Sequence, residues 1–144
     1  MVIKVTQDQL NQPFKDDPKK MIATVIKWWG ENFPEALFDF SMPHLSVMAE
    51  AAVELASRYR IDGQPQVCAF ANLMWLYGPN FDQIPKIQKI LTGPAQQEEK
   101  IEALYTKVPE ALWNLADKKR DESRWIEILT EVVEANASQG EDDG

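Results

Sequence analysis

The chain has 144 residues, a net charge of −8, 44% hydrophobic and 26% charged residues. That is the make-up of one globular domain, not of a disordered chain. The negative charge excludes a general binder of nucleic-acid backbone, which needs a basic face. The single cysteine, Cys68, excludes an intrachain disulfide, and with the single histidine, His44, it falls short of a structural zinc set.

The segment Met1–Thr6 has no apolar run before a small-residue cleavage site, so no secretory signal is expected. No stretch approaches the ~18 apolar residues that span a bilayer. A lone cysteine suits a reducing compartment, and a cytoplasmic protein with no membrane contact is the expectation.

The pattern is helical nearly throughout. Thr6 can cap a short helix carrying Leu10, which Pro13 ends. Asp17 before Pro18 is a cap followed by proline at the first helical position. Ile22, Val25, Ile26, Trp29 and Phe33 then recur at helical spacing, which sets Trp28 toward the flank with Met21 and Val25 when Trp29 joins Ile22 and Ile26 in the core, and Pro34 ends the run. Ser41 to Pro43 opens the next helix, whose stripe of Leu45, Met48, Ala49, Ala52, Ala56 and Tyr59 is rich in small residues. Ile61-Asp62-Gly63 reads as a turn.

A helix from about Pro65 to Tyr77 is apolar on every side, with Asn72 the one polar residue from Val67 on. Such a helix belongs at the centre of a bundle. Gly78-Pro79-Asn80 stops it, with Gly78 expected in a left-handed conformation. Phe81 should tuck back against a helix and Asp82 should cap the following backbone. Pro85 starts a short helix with Ile87, Ile90 and Leu91, broken by Thr92-Gly93-Pro94. A further stripe from Ile101 to Leu115 is kinked or restarted at Pro109. Trp125, Ile128, Leu129, Val132 and Val133 mark the last helix, and residues 137–144 read as a disordered acidic tail.

Residues 1–60 carry seven basic and eight acidic side chains, residues 61–144 eight and fifteen. The carboxyl-terminal half is therefore the acidic one, which suits a solvated surface or a basic partner. Catalytic chemistry is not legible. Cys68 lies in the most apolar helix, His44 at a helix start, and the six glycines form no phosphate loop. The adjacent acids Asp16-Asp17, Glu98-Glu99, Asp121-Glu122 and Asp142-Asp143 point apart on helices, which suits solvated termini.

Five tryptophans are many for this length, so at least one aromatic should be displayed as a binding anchor. Trp28 and Trp75 sit on the less core-like sides of apolar helices. The Gly78–Asp82 segment, if it serves as a recognition loop, adds Phe81 and Asp82 as partner-binding candidates.

Arg58-Tyr59-Arg60-Ile61, followed by Val67-Cys68-Ala69-Phe70-Ala71-Asn72-Leu73-Met74-Trp75-Leu76-Tyr77-Gly78-Pro79-Asn80-Phe81-Asp82, resembles a group of small all-helical bacterial proteins. Their shared core is an Arg/Ala-Tyr-Gly-Ile turn, a helix, and an aromatic-Gly-x-x-Phe-Asp segment. They are encoded beside effectors of the type VI secretion system, often near PAAR-type or lipase-like genes. The match is centred on Arg58–Ile90. Asn32-Phe33-Pro34-Glu35 and the small-residue helix after His44 extend it. Arg60 replaces the group's glycine, and Ile84-Pro85-Lys86 replaces its Pro-Trp.

The expectation is a single all-α domain over residues 1–136, an irregular bundle of six or seven helices around the central helix at about 65–77. The resemblance implies a non-enzymatic accessory protein, an adaptor or chaperone-like factor that binds a type VI effector or its carrier. No cofactor, metal or nucleic acid is expected. An immunity protein against a cognate toxin is the rival among binding proteins, and a small carboxylate-dependent hydrolase the rival among enzymes.

Overall fold

Proline in the first turn costs a helix no hydrogen bond, because that amide has no partner inside the helix. Four helices here begin that way. The computed structural model describes the backbone of residues 18–143, with the side chains of residues 18, 36, 37 and 135–143 left outside that description. The helix expected after Thr6 and the cap at Asp17 lie outside the described residues.

Seven helices of eight residues or more, one isolated helical turn at Ala36–Asp39 and a 3-10 turn at Phe81–Gln83 make up the described regular structure. The helices are α1 (Pro18–Asn32), α2 (Met42–Arg58), α3 (Gln64–Tyr77), α4 (Pro85–Thr92), α5 (Gln97–Thr106), α6 (Glu110–Lys118) and α7 (Arg124–Asp143). The domain is an all-α bundle, as expected. None of the helices is long and apolar enough to cross a membrane among the described residues.

Helix α3 is the hub. It packs against α1, α2, α5, α6 and the 3-10 turn. Val67, Cys68, Phe70, Ala71, Leu73 and Met74 are all buried. The Cys68 thiol has no exposure, and burial pushes its pKa up to about 11. Thiolate is the reactive form, so Cys68 in the folded protein should react with a thiol reagent only as fast as the fold opens. Rapid labelling under native conditions would contradict this placement.

Helix α2 presents Ala49, Ala51, Ala52 and Ala56, each with no exposure, toward its neighbours α1, α3 and α7. Small side chains let these backbones approach closely and lose little rotamer entropy on burial. On α1 the buried face is Met21, Val25, Ile26 and Trp29, with Ile22 and Phe33 half-buried. Met21 and Val25 are therefore core rather than flank. Tertiary packing draws the stripe about one position round from the one that spacing suggests, and Trp28 stays outside it.

The helix ends follow local chemistry. Ser41 caps α2, its hydroxyl accepting from the His44 amide at 3.3 Å. At the other end the Ile61 amide donates to the Ala56 carbonyl and the Arg60 amide to that of Ser57, both at 3.0 Å. This is a Schellman ending, which places its turning residue at positive φ and its next residue in the core. Ile61 is fully buried, and the turning residue is Arg60, with φ of 63°. Glycine usually stands there; a side chain at positive φ costs about 1 kcal/mol.

Pro109 restarts the chain, separating α5 from α6 as the proline suggests. Helix α7 runs on past residue 137, where a disordered tail was expected, and ends at Asp143. Apolar spacing marks only the part of a helix that packs. Beyond it each added residue still brings a backbone hydrogen bond once the helix is nucleated.

Candidate binding cleft

Trp29 is fully buried, and its indole Nε1 donates to the Ala71 carbonyl at 3.2 Å. From this anchor an aromatic chain climbs to the surface. Trp75 lies against Trp29 with ring centroids 5.0 Å apart, and Phe33 stacks on Trp75 at 5.8 Å. Phe40 meets Trp75 edge-on at 5.5 Å, and His44 stacks on Phe40 at 5.0 Å. Trp125 of α7 closes the cluster, edge-on to Trp29 at 6.0 Å.

The outer members of this chain line a cleft of about 590 Å³ with Met48, Arg120 and three carboxylates, Glu35, Asp39 and Glu122. Glu122 is already engaged. It accepts from Trp125 Nε1 at 3.0 Å and pairs with Arg120 Nε at 3.4 Å. Arg120 in turn donates to the Trp75 carbonyl at 2.7 Å, which holds the indole's backbone in place. Glu35 and Asp39 are exposed and form no ion pair among the described residues. Phe38, on the same helical turn, is 88% exposed.

Glu35 and Asp39 line the cleft with the half-buried rings of Trp75 and Phe40. Ring quadrupoles attract a positive charge, and the apolar wall accepts the aliphatic stem that carries it. His44 serves here as a surface ring, not as a partner of the buried Cys68.

Of the four residues singled out in the sequence, Trp75 is the one in the cleft. Trp28 is 37% exposed on α1 and makes no ring contact among the described residues. It does not line the cleft. Phe81 and Asp82 are each 1% exposed, so neither reaches the surface. Phe81 packs on Phe70 of α3 at 5.2 Å and on Trp113 at 5.8 Å, the tucked position expected of it.

Asp82 does not cap the following helix; α4 has no side-chain cap. Instead its Oδ2 accepts the Tyr59 hydroxyl at 2.6 Å and lies 3.8 Å from Arg124. Asp82 Oδ1 and Arg124 Nε have no hydrogen-bond partner among the described residues. Burial raises the Asp82 pKa above its ordinary value, against the pull of Tyr59 and Arg124. Burial likewise pushes the Tyr59 hydroxyl up, aided by the adjacent carboxylate. This cluster ties α2, the 3-10 turn and α7 together.

The acidic dipeptides within the described side chains behave as solvated termini. Glu98 and Glu99 are exposed in the first turn of α5. Asp121 is exposed and accepts the Ser123 amide at 3.1 Å. Among the described residues no group of three His, Cys, Asp or Glu is placed to hold a metal ion.

Phe40, Trp125, Glu35 and Asp39 were missed in the sequence. The only local signal was the Phe33–Phe40 stretch, where aromatic and acidic residues alternate with breakers. Nothing local joins it to Trp75 and Trp125.

Fold and cleft together define an all-helical domain with a surface cleft lined by aromatic rings, carboxylates and Arg120. No protein-family model matches the chain, and no curated protein or solved structure matches it either.

Proposed function

We propose that the chain is a non-enzymatic accessory protein that binds a protein partner through this cleft. A lysine or arginine side chain of the partner enters against Trp75 and Phe40, and Glu35 and Asp39 neutralise it. Phe38 supplies an apolar contact at the rim. The observation that carries the reading is the pair of unpaired carboxylates beside exposed aromatic surface, in a chain of net charge −8. The resemblance centred on Arg58–Ile90 makes a type VI effector or its carrier the partner to look for, with the protein as adaptor or chaperone. The acidity also favours a second reading, an immunity protein that neutralises a basic toxin.

The test uses the full chain, tagged, to capture its partner from cells that make it. Two variants are then compared with the wild type, after circular dichroism confirms that each folds. Glu35→Lys with Asp39→Lys reverses the rim, and Trp75→Ala removes the ring. Each should weaken binding by at least tenfold. The wild-type on-rate should fall with salt. Full affinity in both folded variants would remove the cleft from the reading. A captured partner that keeps its activity in the complex marks an adaptor; one that loses it marks an immunity protein.

A further inference from the structure

A second cavity, of about 490 Å³, shares no residue with the aromatic cleft. Its wall is the Schellman turn that ends α2, the chain from Leu91 to Ala95 that ends α4, and Lys100 of α5. In this acidic chain it contains no carboxylate. Its charged side chains are Arg58, Arg60 and Lys100, all cationic. Arg58 is satisfied elsewhere, by Glu54, Glu131 and the Ile128 carbonyl. Arg60 makes no ion pair or side-chain hydrogen bond among the described residues. The Lys100 ammonium donates to the Tyr59 carbonyl at 3.0 Å and has no carboxylate partner, though the residue is only 4% exposed.

Two further observations set this apart from a chance basic patch. Arg60 occupies a positive-φ position that would be relaxed with glycine, so a charged side chain is held there at a conformational cost. The turn is also clamped. Gln97 Oε1 accepts the Asp62 and Gly63 amides at 3.0 and 2.8 Å, and its Nε2 donates to Asp62 Oδ1 at 3.1 Å. Desolvation and the nearby Arg60 both press on the Lys100 charge, with no acid relieving it.

We propose that this cavity binds a dianionic phosphate group, held by Arg60 and Lys100. Two unneutralised cations match two negative charges, and guanidinium and ammonium are the two side-chain groups best suited to phosphate oxygens. The volume falls in the range of small-molecule sites, so a phosphate carrying a small organic body fits, with Pro94 and Ala95 as its apolar wall.

Calorimetric titration of the full chain at constant ionic strength tests this, with inorganic phosphate, phenyl phosphate and acetate as probes. Saturable binding of either phosphate is expected, with acetate at least tenfold weaker. Tighter binding of phenyl phosphate identifies a phosphomonoester; equal binding identifies the free ion. Arg60→Gly should weaken phosphate binding at least tenfold while raising the melting temperature, because it removes both the charge and the strain. Lys100→Met should weaken binding to a similar extent where it folds. The proposal is overturned by any of three results: no saturable phosphate binding, acetate binding as tightly, or unchanged affinity in Arg60→Gly.

Discussion

Gly78→Ala should destabilise the protein by about 3 kcal/mol, lowering the melting temperature by about 10 °C. Gly78 ends α3 with φ of 104° and ψ of 149°. That lies beyond the left-handed helical region expected from sequence, in a region that glycine alone enters freely. Space compounds the strain. A Cβ at this position would sit 3.1 Å from the Cβ and 3.2 Å from the Cα of Arg120. The contact is with backbone as well as side chain, so no rotamer change relieves it.

The displacement would not stay local. Asn80 bridges the two segments, its amide donating to the Lys119 carbonyl and its oxygen accepting the Asp121 amide, both at 3.0 Å. Pushing Arg120 away therefore moves the wall of the aromatic cleft. Chemical denaturation measures the stability loss, and partner binding by the residual folded fraction should weaken with it. A loss under about 1 kcal/mol would mean that the end of α3 relaxes into an ordinary conformation.

Asp82→Ala should cost about 2 kcal/mol, and Asp82→Asn clearly less. Alanine strips the buried Tyr59 hydroxyl of its acceptor and leaves Arg124 facing an emptied site. Asparagine keeps an oxygen for Tyr59 while removing the buried charge. The two effects are separated by pH. The Asp82 carboxyl titrates above its unfolded value, so the native state holds this proton more tightly than the unfolded chain does. Stability from this group is greatest below the unfolded pKa and falls as pH rises through the folded one. The stability of the wild type relative to Asp82→Asn should thus improve on acidification from neutral pH. Parallel urea titrations of the two proteins check the sign; a gap that widens in favour of Asp82→Asn at acid pH would refute it.

The all-α class and the central place of α3 were legible because apolar spacing reports burial on one element at a time. A helix with Asn72 as its one polar residue after Gln66 buries most of its surface. The restart at Pro109 and the tuck of Phe81 were legible for the same local reason. Arg60 was not, because arginine gives no sign of a positive φ that glycine would have announced. Asp82 was misread for a different reason. Its acid suggested a cap on the next helix, but its hydroxyl partner lies 23 residues away on α2. The cleft draws on α2, α3 and α7, the segment between α1 and α2 and the loop between α6 and α7. Only Trp75 stood out, by its position on an otherwise buried helix.

The docking of α7 on α2 joins parts of the chain far apart in sequence. Arg58 reaches the Ile128 carbonyl across 70 residues of sequence. Contacts of that sequence separation slow folding, because the chain must close before they form, but they do not set how tightly the helix is held once its neighbours are folded. Burial of Trp125 and Ile128 contributes about 2–3 kcal/mol each. The half-exposed Arg58–Glu131 bridge adds less than about 1 kcal/mol. The docked helix places Trp125 in the cleft and Arg124 beside Asp82. A partner that bound only the cleft with Trp125 in place would add its binding free energy to the stability of the docked helix.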